Sequence, residues 1–128
     1  MVKKVYLISP VRDAKLHTIH GMNSYVNFLE AQGCEVHYPL RDVIQTQSAR
    51  DICDVHCMAM SDCCEVHVWL VDGDLTEGSK FDLGMAFMLH SDTLSGIKFV
   101  IANGPIERTE HKSLLNVLLD LVEGTKNV

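Results

Sequence analysis

At 128 residues, 47% apolar and 22% charged, the chain is long enough for one domain with a real core. A net charge of −6 without any basic run argues against a nucleic-acid polymer as partner, and no apolar run approaches the ~20 residues of a membrane span. Five cysteines (Cys34, Cys53, Cys57, Cys63 and Cys64), odd in number and with one adjacent pair, are poor disulfide arithmetic, and the start MVKKVYLISP has no signal-peptide pattern; both features lead us to expect a cytoplasmic protein.

The apolar run from Lys3 to Ile8 predicts a first strand, with Ser9-Pro10-Val11-Arg12-Asp13 as the loop at its carboxyl end. Ile19, Met22, Val26 and Leu29 recur at helical spacing, so a helix is expected from about Thr18 to Gln32, with Gly33 as its C-cap. Cys34 to Tyr38 reads as a second strand ended by Pro39, and Leu40 to Gln47 as a loop. Ser48 and Asp51 form a capping-box pattern. The helix they open runs to about Ser61, with Ile52, Val55, Ala59 and Met60 as its buried stripe.

A third strand covers Val66, Val68, Leu70 and Val71 with Trp69, and breaks at the turn signal Asp72-Gly73-Asp74. From Thr76 and Gly78 the pattern is helical, with Phe81, Met85, Met88 and Leu89 on the expected core face and Leu83, Ala86 and Phe87 flanking it. Gly96 to Ala102 is a fourth strand, stopped by Asn103-Gly104-Pro105. Glu110 to Glu123 predicts a last amphipathic helix capped by Gly124 and followed by a short polar tail. Strands and helices that alternate with short loops imply a parallel sheet with right-handed crossovers.

Ligands in such sheets sit at the carboxyl ends of the strands, which draws attention to Arg12, Asp13, Asp72, Asp74 and Asp82. An acid near a helix N-terminus sits beside positive partial charge, although a solvated Asp is common there. Asp54 has Arg50 four residues before it, so a surface ion pair is its plain alternative. Cys53, His56 and Cys57 share one side of a helix and Cys63-Cys64 follow, but structural zinc sites use two short ligand pairs separated by a longer loop. These cysteines read better as small buried hydrophobes, and no metal is expected. His17 and His20 flank the first helix, where lone histidines are usually solvated. There is no G-x-G-x-x-G fingerprint and no P-loop.

Three blocks resemble one family. They are Tyr6-Leu7-Ile8-Ser9-Pro10-Val11-Arg12, Asp54 to Asp62 (DVHCMAMSD) ahead of an apolar strand, and Thr76 to Ala86 (TEGSKFDLGMA). In order and spacing they are similar to the nucleoside 2-deoxyribosyltransferase superfamily, within it to the deoxynucleoside 5′-monophosphate N-glycosidases. The resemblance spans most of the chain and implies a single domain over residues 1–128, with a flavodoxin-like three-layer α/β/α fold and a four- to five-stranded parallel sheet. It implies that Asp82 is the carboxylate that attacks the anomeric carbon, that Asp54 orients or protonates the base, and that Tyr6 sits beside the nucleophile. Ser9, Arg12, Thr76 and Gly78 fall on substrate or phosphate positions, and Ser113 on a serine that reaches a neighbouring subunit's site. No cofactor is implied, and a homodimer or higher homo-oligomer is.

The chain departs from the family pattern in three ways: Asp82 stands where Glu is usual, Pro10 where the monophosphate branch has Ser, and Glu77 and Lys80 charge a loop that is usually small and neutral. The expected activity is cleavage or transfer at the N-glycosidic bond of a (deoxy)nucleoside or its 5′-monophosphate. The alternative is a module of the same fold that binds a nucleotide or an NAD-derived molecule without turnover.

Overall fold

A computed structural model describes residues 2–90 and 96–125. Within them the order is β1 (Lys4–Ile8), α1 (Leu16–Ala31), β2 (Glu35–His37), α2 (Pro39–Asp42), α3 (Ala49–Ser61), β3 (Glu65–Val68), α4 (Glu77–His90), β4 (Lys98–Ile101) and α5 (Leu114–Thr125). The four strands pair in parallel in the order β2-β1-β3-β4. This is the expected three-layer α/β/α arrangement, and its order reverses between β1 and β3, where a flavodoxin-like sheet opens its ligand crevice. The polar tail expected after the last helix, residues 126–128, lies outside the described residues.

Side chains alternate across a strand, so β1 serves two cores. Val5 and Leu7 pack with Met22, Val26 and Leu29 of α1 and with Val36. Tyr6 and Ile8 face the other way, into a cluster with Val66, Val68 and Phe99 from the sheet, Met60 of α3, Leu83 and Ala86 of α4, and Leu118 and Leu121 of α5. The first face also carries a polar relay from Lys3 through Glu65 to His67, whose Nδ1 lies 2.5 Å from the Tyr25 hydroxyl. On that face the Trp69 ring lies so close to α1 that a Cβ at Gly21 would approach it to 2.9 Å.

The ends of the elements follow from local chemistry. Gly33 takes φ +91 just past α1, as an αL helix end demands. The Ser48 hydroxyl accepts the Asp51 N–H at 3.1 Å and opens α3. Asp72 and Gly73 both have positive φ and close a type I′-like turn, with Val71 and Asp74 exchanging backbone hydrogen bonds at 2.9 and 3.0 Å. Asn103 clamps the Leu70 backbone with two hydrogen bonds of 2.7 Å, tying the end of β3 to the loop after β4.

The structure corrects three expectations. The stretch after β2 is not all loop. Pro39 starts the four-residue helix α2, whose Arg41 forks onto Glu30 of α1 at 3.0 and 3.1 Å. Gly124 lies inside α5 rather than capping it, and the Thr125 hydroxyl accepts the Phe99 N–H of β4 at 2.8 Å.

The third correction concerns α4. Its buried residues are Ser79, Asp82, Leu83, Ala86 and His90, while Phe81, Phe87, Met88 and Leu89 are exposed. The helix is apolar nearly all round, so spacing alone selects no face. Small Ser79 and Ala86 let it approach the sheet closely, and the bulky side chains turn outward.

Leu83→Ala should lower unfolding free energy by about 2–5 kcal/mol, because a fully buried leucine leaves a cavity behind. Urea or thermal denaturation measures it; a loss below about 1 kcal/mol would place Leu83 outside the core.

Candidate active site

Asp82 lies in the second turn of α4 and is buried against the sheet. A carboxylate in such a place needs partners, since an unpaired buried charge is strongly unfavourable. It has two. The Tyr6 hydroxyl donates to Oδ2 at 3.0 Å, and His56 Nδ1 lies 3.4 Å from Oδ1. Tyr6 comes from the middle of β1 and His56 from α3, so three elements meet on one side chain. Burial first, then the Asp82 charge and its hydrogen bond, push the Tyr6 phenol far above its ordinary value, and Tyr6 stays a donor at any working pH.

A fourth residue joins from β2. His37 is the register partner of Tyr6, and their rings stack with centroids 5.1 Å apart. His56 stands edge-on to both, at 6.1 Å from Tyr6 and 6.0 Å from His37. Burial, then the neighbouring His56, lower the pKa of His37. The Nε2 atoms of His37 and His56 are both buried, and neither has a hydrogen-bond partner among the described residues. Buried polar atoms are rarely left so, and two in one cluster mark a place where a ligand or water completes the bonding. A cleft of about 210 Å³ runs beside the cluster, lined by His37, Val5, Val36, Asp42, Ala59 and Cys63 among others. Asp82 does not line it. A second cleft of about 200 Å³ lies on the α1 side at the strand ends, lined by His17, Thr18, Trp69, Leu70, Val71, Asp72 and Asn103.

The residues singled out from sequence divide into three groups. Tyr6 and Asp82 are brought into contact. Ser9 is buried at the end of β1, its hydroxyl on the Leu7 carbonyl at 3.3 Å, and Arg12 is exposed in the loop beyond, without an ion pair to Asp13 or any other described residue. Thr76 caps α4: its hydroxyl accepts the Ser79 N–H at 3.3 Å and donates to Ser79 Oγ at 2.9 Å. Gly78 is exposed in the first turn, where helix amides have no intrahelical partner. Ser113 accepts the Asn116 N–H at 3.2 Å and opens α5.

Asp54 is not brought to Asp82. It faces solvent, 63% exposed, and sits 3.8 Å from Arg50 as the surface pair of the plain alternative. The residue that α3 does present is His56, two positions on and about 200° round the helix. Sequence reasoning missed His56 and His37 as partners of the carboxylate. The available signals were position: His56 stands four residues from both Ile52 and Met60, and His37 is the lateral partner of Tyr6 across the first strand pair. Among the described residues no cluster of three or more His, Cys, Asp and Glu side chains is arranged to hold a metal, and no helix is long and apolar enough to cross a membrane.

No family model and no curated protein matches this sequence. Among solved structures, the chain is similar to the CMP N-glycosidase BcmB of Clostridium botulinum, at TM-score 0.54 and 17% identity, covering 93% of this chain and 82% of that one. At that identity the likeness is one of fold, the same layered α/β architecture.

Two histidines, the part-buried His37 and the buried His67, give the fold a pH dependence of definite sign. Burial lowers the pKa of both His37 and His67 below the usual 6.5, so the unfolded chain takes up protons first as pH falls. Their contribution is fully present above pH 6.5 and is lost progressively below it, through the lowered folded-state pKa values. The melting temperature should therefore be level near pH 7–8 and fall as pH drops from about 6.5 towards 5, before most carboxylates titrate. His37→Phe should flatten part of that fall; an unchanged slope would exclude His37 as a cause.

Proposed function

We propose that this protein cleaves, or transfers at, the N-glycosidic bond of a (deoxy)nucleoside or its 5′-monophosphate, with Asp82 as the nucleophile. The observation that carries the reading is the buried Asp82 carboxylate, one oxygen held by the Tyr6 hydroxyl and the other beside an imidazole, packed against the inner strand β1 of a parallel sheet. The fold shared with a CMP N-glycosidase supports it.

Breaking an N-glycosidic bond develops positive charge at C1′ and the ring oxygen. A fixed carboxylate can stabilise that charge or trap it as a covalent ester. Water or a second base then takes the sugar. Tyr6, which cannot readily ionise, keeps one Asp82 oxygen oriented through both steps. In this reading Arg12, the first-turn amide of Gly78, and the Ser9 and Thr76 hydroxyls meet the 5′-phosphate, a helix start and a guanidinium being natural anion partners.

A panel assay for free base, run on nucleosides and their monophosphates, tests the reaction. Asp82→Asn should cut release at least ~100-fold, about 2.7 kcal/mol of transition-state stabilisation. Arg12→Ala should raise KM for a monophosphate at least ~10-fold, about 1.4 kcal/mol, and leave the plain nucleoside nearly unaffected. Equal losses on both substrates would remove Arg12 from the phosphate site.

One observation favours the alternative, a non-catalytic module that binds a nucleotide or NAD-derived molecule. Asp82 is one methylene shorter than Glu, and its side chain is only 7% exposed. Thermal stabilisation by a monophosphate with no base released would assign this second function, since only a ligand that prefers the folded state raises stability.

We also propose a homodimer. Phe81 and Met88 on α4 and Met58 on α3 are 57%, 86% and 74% exposed, an apolar face on the two helices that carry the site. In a dimer built on this face Ser113 is the residue we assign to the partner's pocket. Light scattering should give twice 14.3 kDa for the wild type. Met88→Asp should shift it towards one chain; a wild-type monomer at all concentrations would remove the proposal.

A further inference from the structure

An N-glycosidic bond does not break easily unless the departing base is protonated, because the base leaves poorly as an anion. The resemblance assigns that proton to Asp54, but Asp54 points into solvent beside Arg50, away from the buried carboxylate. The groups that face Asp82 are Tyr6 from β1 and His56 from α3, with His37 of β2 packed against both. Tyr6 already donates to Asp82 and holds its proton too tightly to shuttle it. His37 is kept neutral by burial and by His56, and no hydrogen bond joins it to the carboxylate among the described residues.

The geometry points to His56 as the proton carrier of this site, delivering a proton from Nε2 to the leaving base and recovering one from the incoming water. This rests on the N-glycosidase reading and names the group that reading leaves unfilled. An imidazole with one nitrogen on a buried carboxylate and the other free is the arrangement by which a dyad moves protons. Here Nδ1 lies 3.4 Å from Asp82 Oδ1, and Nε2 is buried with no partner among the described residues. The 3.4 Å separation is loose, as is common before a substrate tightens the site. The side chain is 13% exposed, so the groups over Nε2 must part as the base enters, a rotamer adjustment common at binding sites.

The protons and electrons balance over two steps. In the first, an Asp82 oxygen bonds to C1′, the C1′–N bond breaks, and its electron pair stays with the base nitrogen. The Nε2 proton of the imidazolium moves to the base. In the second, water adds to C1′ and the ester bond to Asp82 breaks with its pair returning to the carboxylate. The water proton goes to Nε2, and the imidazolium is restored. Imidazole suits both directions because one ring nitrogen can give a proton and take one back while the other stays on the carboxylate.

The test compares two leaving groups on one sugar. One substrate is the nucleoside 5′-monophosphate from which the wild type releases base fastest. The other is the corresponding 4-nitrophenyl glycoside 5′-phosphate, whose nitrophenolate departs without a proton. His56→Asn keeps a donor near the Nδ1 position and removes Nε2. It should lower kcat on the natural substrate ~100-fold or more, the usual range for a lost general acid, and leave release of nitrophenolate within about 3-fold of the wild type. His56→Gln, run in parallel with thermal unfolding as a check, covers the case in which the Asn variant does not fold. Equal losses on both substrates would overturn the proposal, showing that His56 only steadies Asp82, and would leave the N-glycosidase reading standing. If the wild type releases neither base nor nitrophenolate, that reading falls and the role of His56 with it.

Discussion

The structure depends on one buried contact, the hydrogen bond from the Tyr6 hydroxyl to Asp82 at 3.0 Å, between residues 76 positions apart in sequence. A carboxylate buried on the inner face of α4 is tolerable only when its oxygens are satisfied. That requirement constrains the elements around it. β1 must present its even-numbered residues to the α3/α4 side, α4 must turn Asp82 inward, and α3 must bring a polar group to the second oxygen. Removing either partner would leave a buried charge short of a bond, a far larger penalty than losing a surface ion pair such as Arg50–Asp54.

How far this was legible in the sequence varied with the kind of signal. Strands β1, β3 and β4 stood out because continuous β-branched and aliphatic runs have few other solutions in a short chain. The α1 stripe was legible because Met22, Val26 and Leu29 sit among polar neighbours. Ser48 and the Asp72-Gly73 pair could be read because a side-chain cap and a two-residue turn with positive φ demand those residue types. The four-residue α2 was not legible, being shorter than two helical turns and held by the contact of Arg41 with Glu30 of α1 and by the Asp42 carboxylate on the Tyr38 N–H. The inner face of α4 was not legible either. Apolar residues on all sides carry no direction, and packing chose the side with the small residues and the acid.

The site divides along the same line. Tyr6 and Asp82 were reached through a family resemblance, and the structure sets them in contact, although composition and spacing alone ranked Asp82 as an ordinary helix-start acid. His37 looked like one more strand residue. Its importance comes from register, since Lys4 pairs with Glu35 and therefore Tyr6 with His37. Register is set by long-range pairing, which no local pattern in either strand reveals.

The rotational setting of α3 links these observations. Each residue advances the helix by about 100°, so Asp54 and His56 cannot both face α4. Met60 is fully buried beneath the sheet, and the Met60 carbonyl meets His90 Nε2 at 2.8 Å, tying the end of α3 to the end of α4. At the other end, the Ser48 cap sets where the helix begins. With both ends held, the residue one turn before Met60 must face inward, and that residue is His56. The choice between a carboxyl group and an imidazole beside Asp82 was therefore made by apolar packing at the far end of the helix. A rotation that brought Asp54 inward would set a second carboxylate against Asp82, where like charges repel. It would also lift Met60 out of the core. The imidazole pairs with the carboxylate in either protonation state, as hydrogen-bond donor or as cation, so charge and packing favour the same phase of the helix.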